Sequence, residues 1–192
     1  MDINIKKKIA KNWFAMLQDI ICKDIEKIER KKKIFKSKSW ARGKNQGGGE
    51  FRIFENGKIF EKVGVNFSEV YGKLSNNLKG QIPGTKKNSK FWASGISVVM
   101  HMKNPHIPAM HFNTRYIFTS HGWFGGGMDI TPSIKDKYLK NWYHKELKKN
   151  CDRHNKTYYK KYKKWCEKYF YLPHRKEERG IGGIFFDYKK GK

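Results

Sequence analysis

Residues 97–115 read SVVMHMKNPHIPAMHFNTR. Two apolar runs flank the turn-forming KNPHIP, and within each run apolar residues alternate with others. Successive side chains of a strand point to opposite faces, so this alternation predicts two β-strands joined as a hairpin. Over 96–102, Ser97, Val99 and His101 share one face, with Ile96, Val98 and Met100 on the other. Over 110–118, His111, Asn113 and Arg115 share a face, opposite Met110, Phe112 and Tyr116. Paired in register, the hairpin has one face of ordinary core. The other gathers a hydroxyl, two imidazoles, an amide and a guanidinium. That face is either a solvated sheet surface or a site held on rigid strands. Exposed stretches of this chain are written in lysine and this face carries none, which favours the site.

Working outward, residues 5–30 place Ile9, Trp13, Leu17, Ile21, Ile25 and Ile28 at helical spacing and predict an amphipathic helix, with Trp13 and Phe14 in core packing. KKKIFKSKSWARGKNQGGGE reads as a basic, Gly-rich connector. FRIFE and KIFEKVGVNF, separated by Asn56-Gly57, predict a further hairpin. After the loop KLSNNLKGQIPGTKKNSK and the quoted hairpin, GWFGGGMDITP reads as a Gly-rich break. Tyr138, Leu139, Trp142, Tyr143 and Leu147 mark one helix, and Tyr158, Tyr162, Trp165, Cys166 and Tyr169 another. A loop, YLPHRKEERG, leads to a last strand, IGGIFFDY, followed only by KKGK. A strand so apolar normally has neighbours on both sides, which suggests that part of the sheet lies outside this chain. Strands grouped before helices, with no repeat and no dividing linker, predict one α+β domain over 1–192 with a mainly antiparallel sheet.

The 192 residues carry 43 Lys and Arg against 17 Asp and Glu, a net charge of +26. Such charge invites a nucleic-acid reading. Only seven of the basic residues are arginine, however, and the lysines are scattered along every segment. Nucleic-acid surfaces draw on arginine for bidentate contacts, so the lysines read as a solvated veneer whose field favours polyanionic substrates. No run is long enough to cross a bilayer, and the N-terminus lacks the apolar stretch of a signal peptide. Cys22, Cys151 and Cys166 form no CxxC, which suits a reducing, cytoplasmic setting.

Arg115 has the fork geometry that clamps a carboxylate. His101 and His111 on adjacent strands can ligate a divalent metal or act as acid and base, although spacing shows no third ligand. Asp129 follows three glycines and is either a turn residue or part of a site. GxxxxGK[ST], a GxGxxG turn after a strand, and GxSxG are all absent. His144 and His174 read singly as surface or cap residues, and His106, His121 and His154 as loop or exposed positions.

Taken together, FWASGISVVMHMKNPHIPAMHFNTRYIF, WFGGGMDITP, WCEKYFYLPHR and RGIGGIFFDY, with NQGGGE and IFEKVGVNFSEVYG before them, resemble the aerobic, oxygen-dependent coproporphyrinogen III oxidase family of haem biosynthesis. The resemblance runs in order through nearly the whole chain. It implies an antiparallel sheet flanked by helices on both sides, working as a homodimer. It also implies oxidative decarboxylation of two propionates of coproporphyrinogen III to the vinyls of protoporphyrinogen IX, with O2 as oxidant and no organic cofactor. By the same resemblance, Ser97 and the Asn113-Thr114-Arg115 segment contact substrate and His111 is a proton donor. Thr114 points to the opposite face by alternation, so its contact would run through backbone. Asp129 is implied to face the pyrrole N–H groups, Arg179 to be a propionate or structural partner, and His101, His111, His144 and His174 to be divalent-metal ligands.

Sequences of that family continue well past RGIGGIFFDY, through a later arginine that touches substrate and a segment that forms the dimer contact. The resemblance therefore reads this chain as C-terminally shortened: a gene fragment, half of a split gene, or a decaying copy. Two other readings are a remnant that binds porphyrinogen without turnover and a basic nucleic-acid module. The even spread of lysine counts against the module.

Overall fold

A computed structural model describes residues 2–78, 80–134 and 136–190. The chain opens with helix α1 (Ile3–Glu29), which starts where the Asp2 side chain accepts from the Asn4 N–H. It ends at Arg30 in the left-handed conformation, with the Lys31 N–H donating back to the Glu26 carbonyl. Strands β1 (Lys36–Ala41), β2 (Gly47–Glu55), β3 (Phe60–Lys73), β4 (Lys90–Met102), β5 (Ala109–Phe118) and β6 (Gly122–Thr131) follow as an antiparallel meander. Helices α2 (Lys137–Asp152) and α3 (Tyr158–Tyr169) come next, then the two-residue strands β7 (Tyr171–Leu172) and β8 (Glu177–Glu178), which pair with each other. The last strand, β9 (Gly183–Lys189), returns beside β6 and completes a seven-stranded sheet in the order β1-β2-β3-β4-β5-β6-β9. The fold is α+β, as the segment order predicts.

Register assigns the faces. Ile96 lies opposite Thr114 and Val98 opposite Phe112 across β4 and β5, and on β3 Val65 lies opposite Val98. These residues, with Val63, Trp92 and Tyr116, pack under Ala10, Phe14, Cys22 and Ile25 of α1. On the same face, Ile130, Met128, Met110 and Ile184 pack under Leu139, Tyr143 and Leu147 of α2. Helix α3 lies along β9, where Tyr162 meets Phe186 while Tyr169 stacks on Phe185 at 3.9 Å.

Of the helical row that sequence spacing singles out, Leu17, Ile21 and Ile25 do pack against the sheet, but Ile9, Trp13 and Ile28 turn outward, and the buried stripe is completed instead by Ala10, Phe14, Gln18 and Cys22. Phe14 is 1% exposed, whereas Trp13 is 49%, Ile9 54% and Ile28 50% exposed. The reason is Gln18, which lies in the buried row and donates from its amide to the Glu50 and Val65 carbonyls. A buried amide with two partners costs little, so the row containing it can face the core.

Two further expectations are corrected. The connector at 31–50 contains β1 and the start of β2, and the Gly-rich break is β6 itself. Glycine weakens an isolated strand, but here neighbouring atoms occupy the space that side chains would need. A Cβ at Gly127 would stand 2.8 Å from the Phe185 ring, and one at Gly126 would stand 2.7 Å from the Asn113 carbonyl oxygen.

Candidate active site

The sheet surface away from α1 and α2 carries the polar groups. Its rows follow from register: Ser97 is opposite Asn113, Asn113 opposite Gly127 and Gly127 opposite Phe185. One step along, Val99 is opposite His111 and His111 opposite Asp129; one step the other way, Gly95 is opposite Arg115 and Arg115 opposite Gly125. Strands thus bring Ser97, His111, Asn113, Arg115 and Asp129 onto one surface. Thr114 falls on the helix-covered surface, as alternation requires.

Two ion pairs organise this surface. Arg179 grips Asp129 with a two-point fork, Nε to Oδ2 at 2.8 Å and Nη2 to Oδ1 at 2.7 Å, and its Cζ lies 3.8 Å from the Phe170 ring centre. Asp129 is only 2% exposed and lies within β6, so it is not the turn or cap residue that the glycines before it allow, and its partner comes from a loop fifty residues away. Arg115 donates from Nη2 to Asp187 Oδ2 at 2.5 Å. Sequence reasoning did not single out Asp187, which this pair places on the polar surface. The available signal was its place in IGGIFFDY, where alternation puts it on the face of Phe185.

His111 Nδ1 stands 3.7 Å from Asp129 Oδ2, beyond hydrogen-bond reach, and has no partner although buried. Burial pushes the His111 pKa down, as do the nearby Arg179 and His101, against the upward pull of Asp129. The downward shift favours the uncharged imidazole near neutral pH. Asn113 Oδ1 and Arg115 Nε are likewise buried without partners, so three polar groups of one face have unused hydrogen-bonding capacity. Buried groups left unsatisfied in a native protein call for an explanation, a catalytic role or a bound water or ion among them.

Register keeps His101 on the same face as His111, near enough to act on its charge, but the four histidines are not drawn together as one set. His101 is exposed on β4, opposite Lys62, and His174 is exposed in the turn between β7 and β8. His144 lies on α2, beneath the opposite face of the sheet from His111. Its Nε2 is 2.7 Å from the Ile181 carbonyl, which can only accept, so Nε2 carries the proton. Its Nδ1 is 3.1 Å from the Tyr159 hydroxyl, leaving neither ring nitrogen free for a metal. Among the described residues no group of three or more His, Cys, Asp or Glu is placed to hold a metal ion. The cysteines supply no nucleophile either: all three are buried, and burial lifts the Cys166 thiol to about 12.

Two cavities of about 630 Å³ flank the start of α1, one lined by Lys7, Trp92 and Phe118 and the other by Tyr116 and Phe124. Neither contains a residue of the polar surface. The polar surface is an open floor, and its chemistry identifies it better than enclosure does.

Comparison with known proteins agrees with this geometry. The family model described as coproporphyrinogen III oxidase matches residues 9–192. An oxygen-dependent coproporphyrinogen-III oxidase of Rickettsia africae (strain ESF-5) is 50% identical over 190 residues, 95% of this chain and 67% of the relative. Its counterpart in Rickettsia bellii (strain RML369-C) is 47% identical over the same shares. The chain thus spans about two thirds of the length of these relatives. With a family model matching almost from end to end and relatives at half identity, this chain belongs to the coproporphyrinogen III oxidase family.

Proposed function

We propose that this chain is an oxygen-dependent coproporphyrinogen III oxidase whose porphyrinogen lies on the polar surface of β4, β5, β6 and β9. The observation that carries the proposal is that surface itself: Ser97, His111, Asn113 and Arg115 on one face of a rigid sheet, with glycines beside them in β6. For each propionate, R–CH2CH2–COOH and O2 give R–CH=CH2, CO2 and H2O2. The carbon next to the ring gives up a hydrogen with its bonding electron pair, which with the carboxyl proton reduces O2 to H2O2, and the carboxylate leaves as CO2 while the electrons of its C–C bond become the vinyl π bond. Arg115 offers a cation to the carboxylate before it leaves. Neutral His111 has one ring N–H to give and one lone pair to receive a proton, which suits a group that shuttles protons between substrate and reduced oxygen. Buried Asp129, its charge balanced by the fork of Arg179, presents a fixed carboxylate–guanidinium dipole at the floor of the surface. The net charge of +26 draws a tetracarboxylate towards the protein.

No step is assigned to a metal, because His144 has both ring nitrogens engaged and lies across the sheet from His111. The homodimer implied by the family resemblance, the single domain over 1–192 and a cytoplasmic location stand as parts of the proposal. Three buried, unpaired cysteines agree with a reducing compartment, and no helix among the described residues is long and apolar enough to cross a membrane. The purified protein, given coproporphyrinogen III in air, is expected to release CO2 and form protoporphyrinogen, read as protoporphyrin fluorescence after oxidation. Under nitrogen the products should disappear. Folded protein that yields neither product in air overturns the proposal.

A further inference from the structure

Arg115 and Asp187 come from strands that are not neighbours, since β6 lies between β5 and β9. Asp187 reaches over β6 to bond Arg115 Nη2, passing above Gly125. A Cβ at Gly125 would stand 2.0 Å from Asp187 Oδ1 and 3.0 Å from Arg115 Nε, so only glycine leaves room for the pair. The ladder is irregular here: its register shifts between Phe124 and Gly126, and Tyr188 has a φ of +58°. Irregularities of this kind re-aim a side chain, and the one re-aimed here is Asp187.

The inner edge of the Arg115 guanidinium is consequently enclosed. Nε is buried, Nη2 is held by Asp187, and Phe185 lies 5.5 Å from Cζ. The side chain as a whole keeps 29% exposure, against 14% for Asp187. Nη1 is the guanidinium nitrogen that remains for a ligand.

We infer, on the reading of this surface as a porphyrinogen site, that Asp187 is a positioning residue for the substrate carboxylate. It pins Arg115 from the sheet side, so that Nη1 meets one propionate at a fixed place and with part of the arginine charge already balanced. Substrate orientation, more than affinity, then depends on Asp187. A reacting group held in a fixed geometry reacts far faster than one loosely bound, and a shift of about 1 Å can cost about a hundredfold.

The test compares wild type, Asp187→Asn, Gly125→Ala and Arg115→Ala in three measurements. These are turnover of coproporphyrinogen III in air, fluorescence titration with coproporphyrin III, and the ¹⁵N relaxation of the Arg115 Nε–H. Asp187→Asn should lower kcat about tenfold or more while affinity holds within about threefold or tightens. Its Arg115 Nε–H should become mobile. Gly125→Ala, which keeps both charges, should wedge the pair apart and give the same split. Arg115→Ala should instead weaken coproporphyrin III binding about tenfold or more. A purely structural role would lower the thermal midpoint and the active fraction without mobilising Arg115 in the folded protein, and that result overturns the inference. So does an Asp187→Asn protein that binds as weakly as Arg115→Ala or turns over like wild type. Folded wild type with an ordered Arg115 but no affinity for coproporphyrin III overturns the underlying reading of the surface instead.

Discussion

Asp129 and Arg179 form a two-point ion pair in which the carboxylate is almost wholly buried and the guanidinium remains about one-third exposed. Removing the guanidinium strands a charge inside the protein. Arg179→Ala is therefore expected to destabilise the fold near the lower end of the roughly 3–5 kcal/mol seen when fully buried pairs are broken. Arg179→Lys should recover little, because an ammonium cannot reproduce the fork or its contact with Phe170. Adding Asp129→Asn to Arg179→Ala should restore part of the loss. Urea denaturation of the four proteins checks this, and a double variant no more stable than Arg179→Ala would contradict it.

Adjacent aromatic residues of α1 should behave oppositely. Phe14 is buried against the sheet and Trp13 is half exposed on the outer face. Phe14→Ala should cost about 3–5 kcal/mol, whereas Trp13→Ala should stay within about 0.5 kcal/mol of wild type. Equal losses in a urea titration would mean that the helix is turned about its axis from the orientation described here.

Acid should weaken the fold through two histidines. The pKa values of His111 and His144 are both lowered from 6.5, in each case chiefly by burial. In the window between their folded and unfolded values the unfolded chain holds more protons, so stability rises with pH there. The penalty is complete below the folded values and gone once pH exceeds the unfolded value of 6.5. His111→Asn and His144→Asn should each flatten the rise in urea midpoint as pH climbs towards 6.5 from below. An unchanged slope in the double variant would remove both residues from the account.

How far sequence reaches can be judged from particular residues. The polar face of Ser97, His111, Asn113 and Arg115 was legible because a two-residue period leaves no freedom once the strands are recognised. Strand β6 was hidden because its three glycines satisfy a strand only through what β5 and β9 place around them, which is tertiary information. Part of the buried row of α1 (Leu17, Ile21 and Ile25) was legible, and the rest was hidden for a similar reason: Gln18 looks solvated until the Glu50 and Val65 carbonyls are found beside it. Asp187 could be assigned to a face by alternation, but its reach to Arg115 depends on an irregular ladder that no short motif encodes.

The most direct measurement is aerobic turnover of coproporphyrinogen III by wild type beside Arg115→Ala, His111→Ala and an exposed control, Lys160→Ala. The account predicts protoporphyrin fluorescence from wild type and from the control, with a loss of about a hundredfold or more in each site variant. Site variants that keep wild-type turnover while folded would contradict it, and would place the chemistry away from the polar face of the sheet.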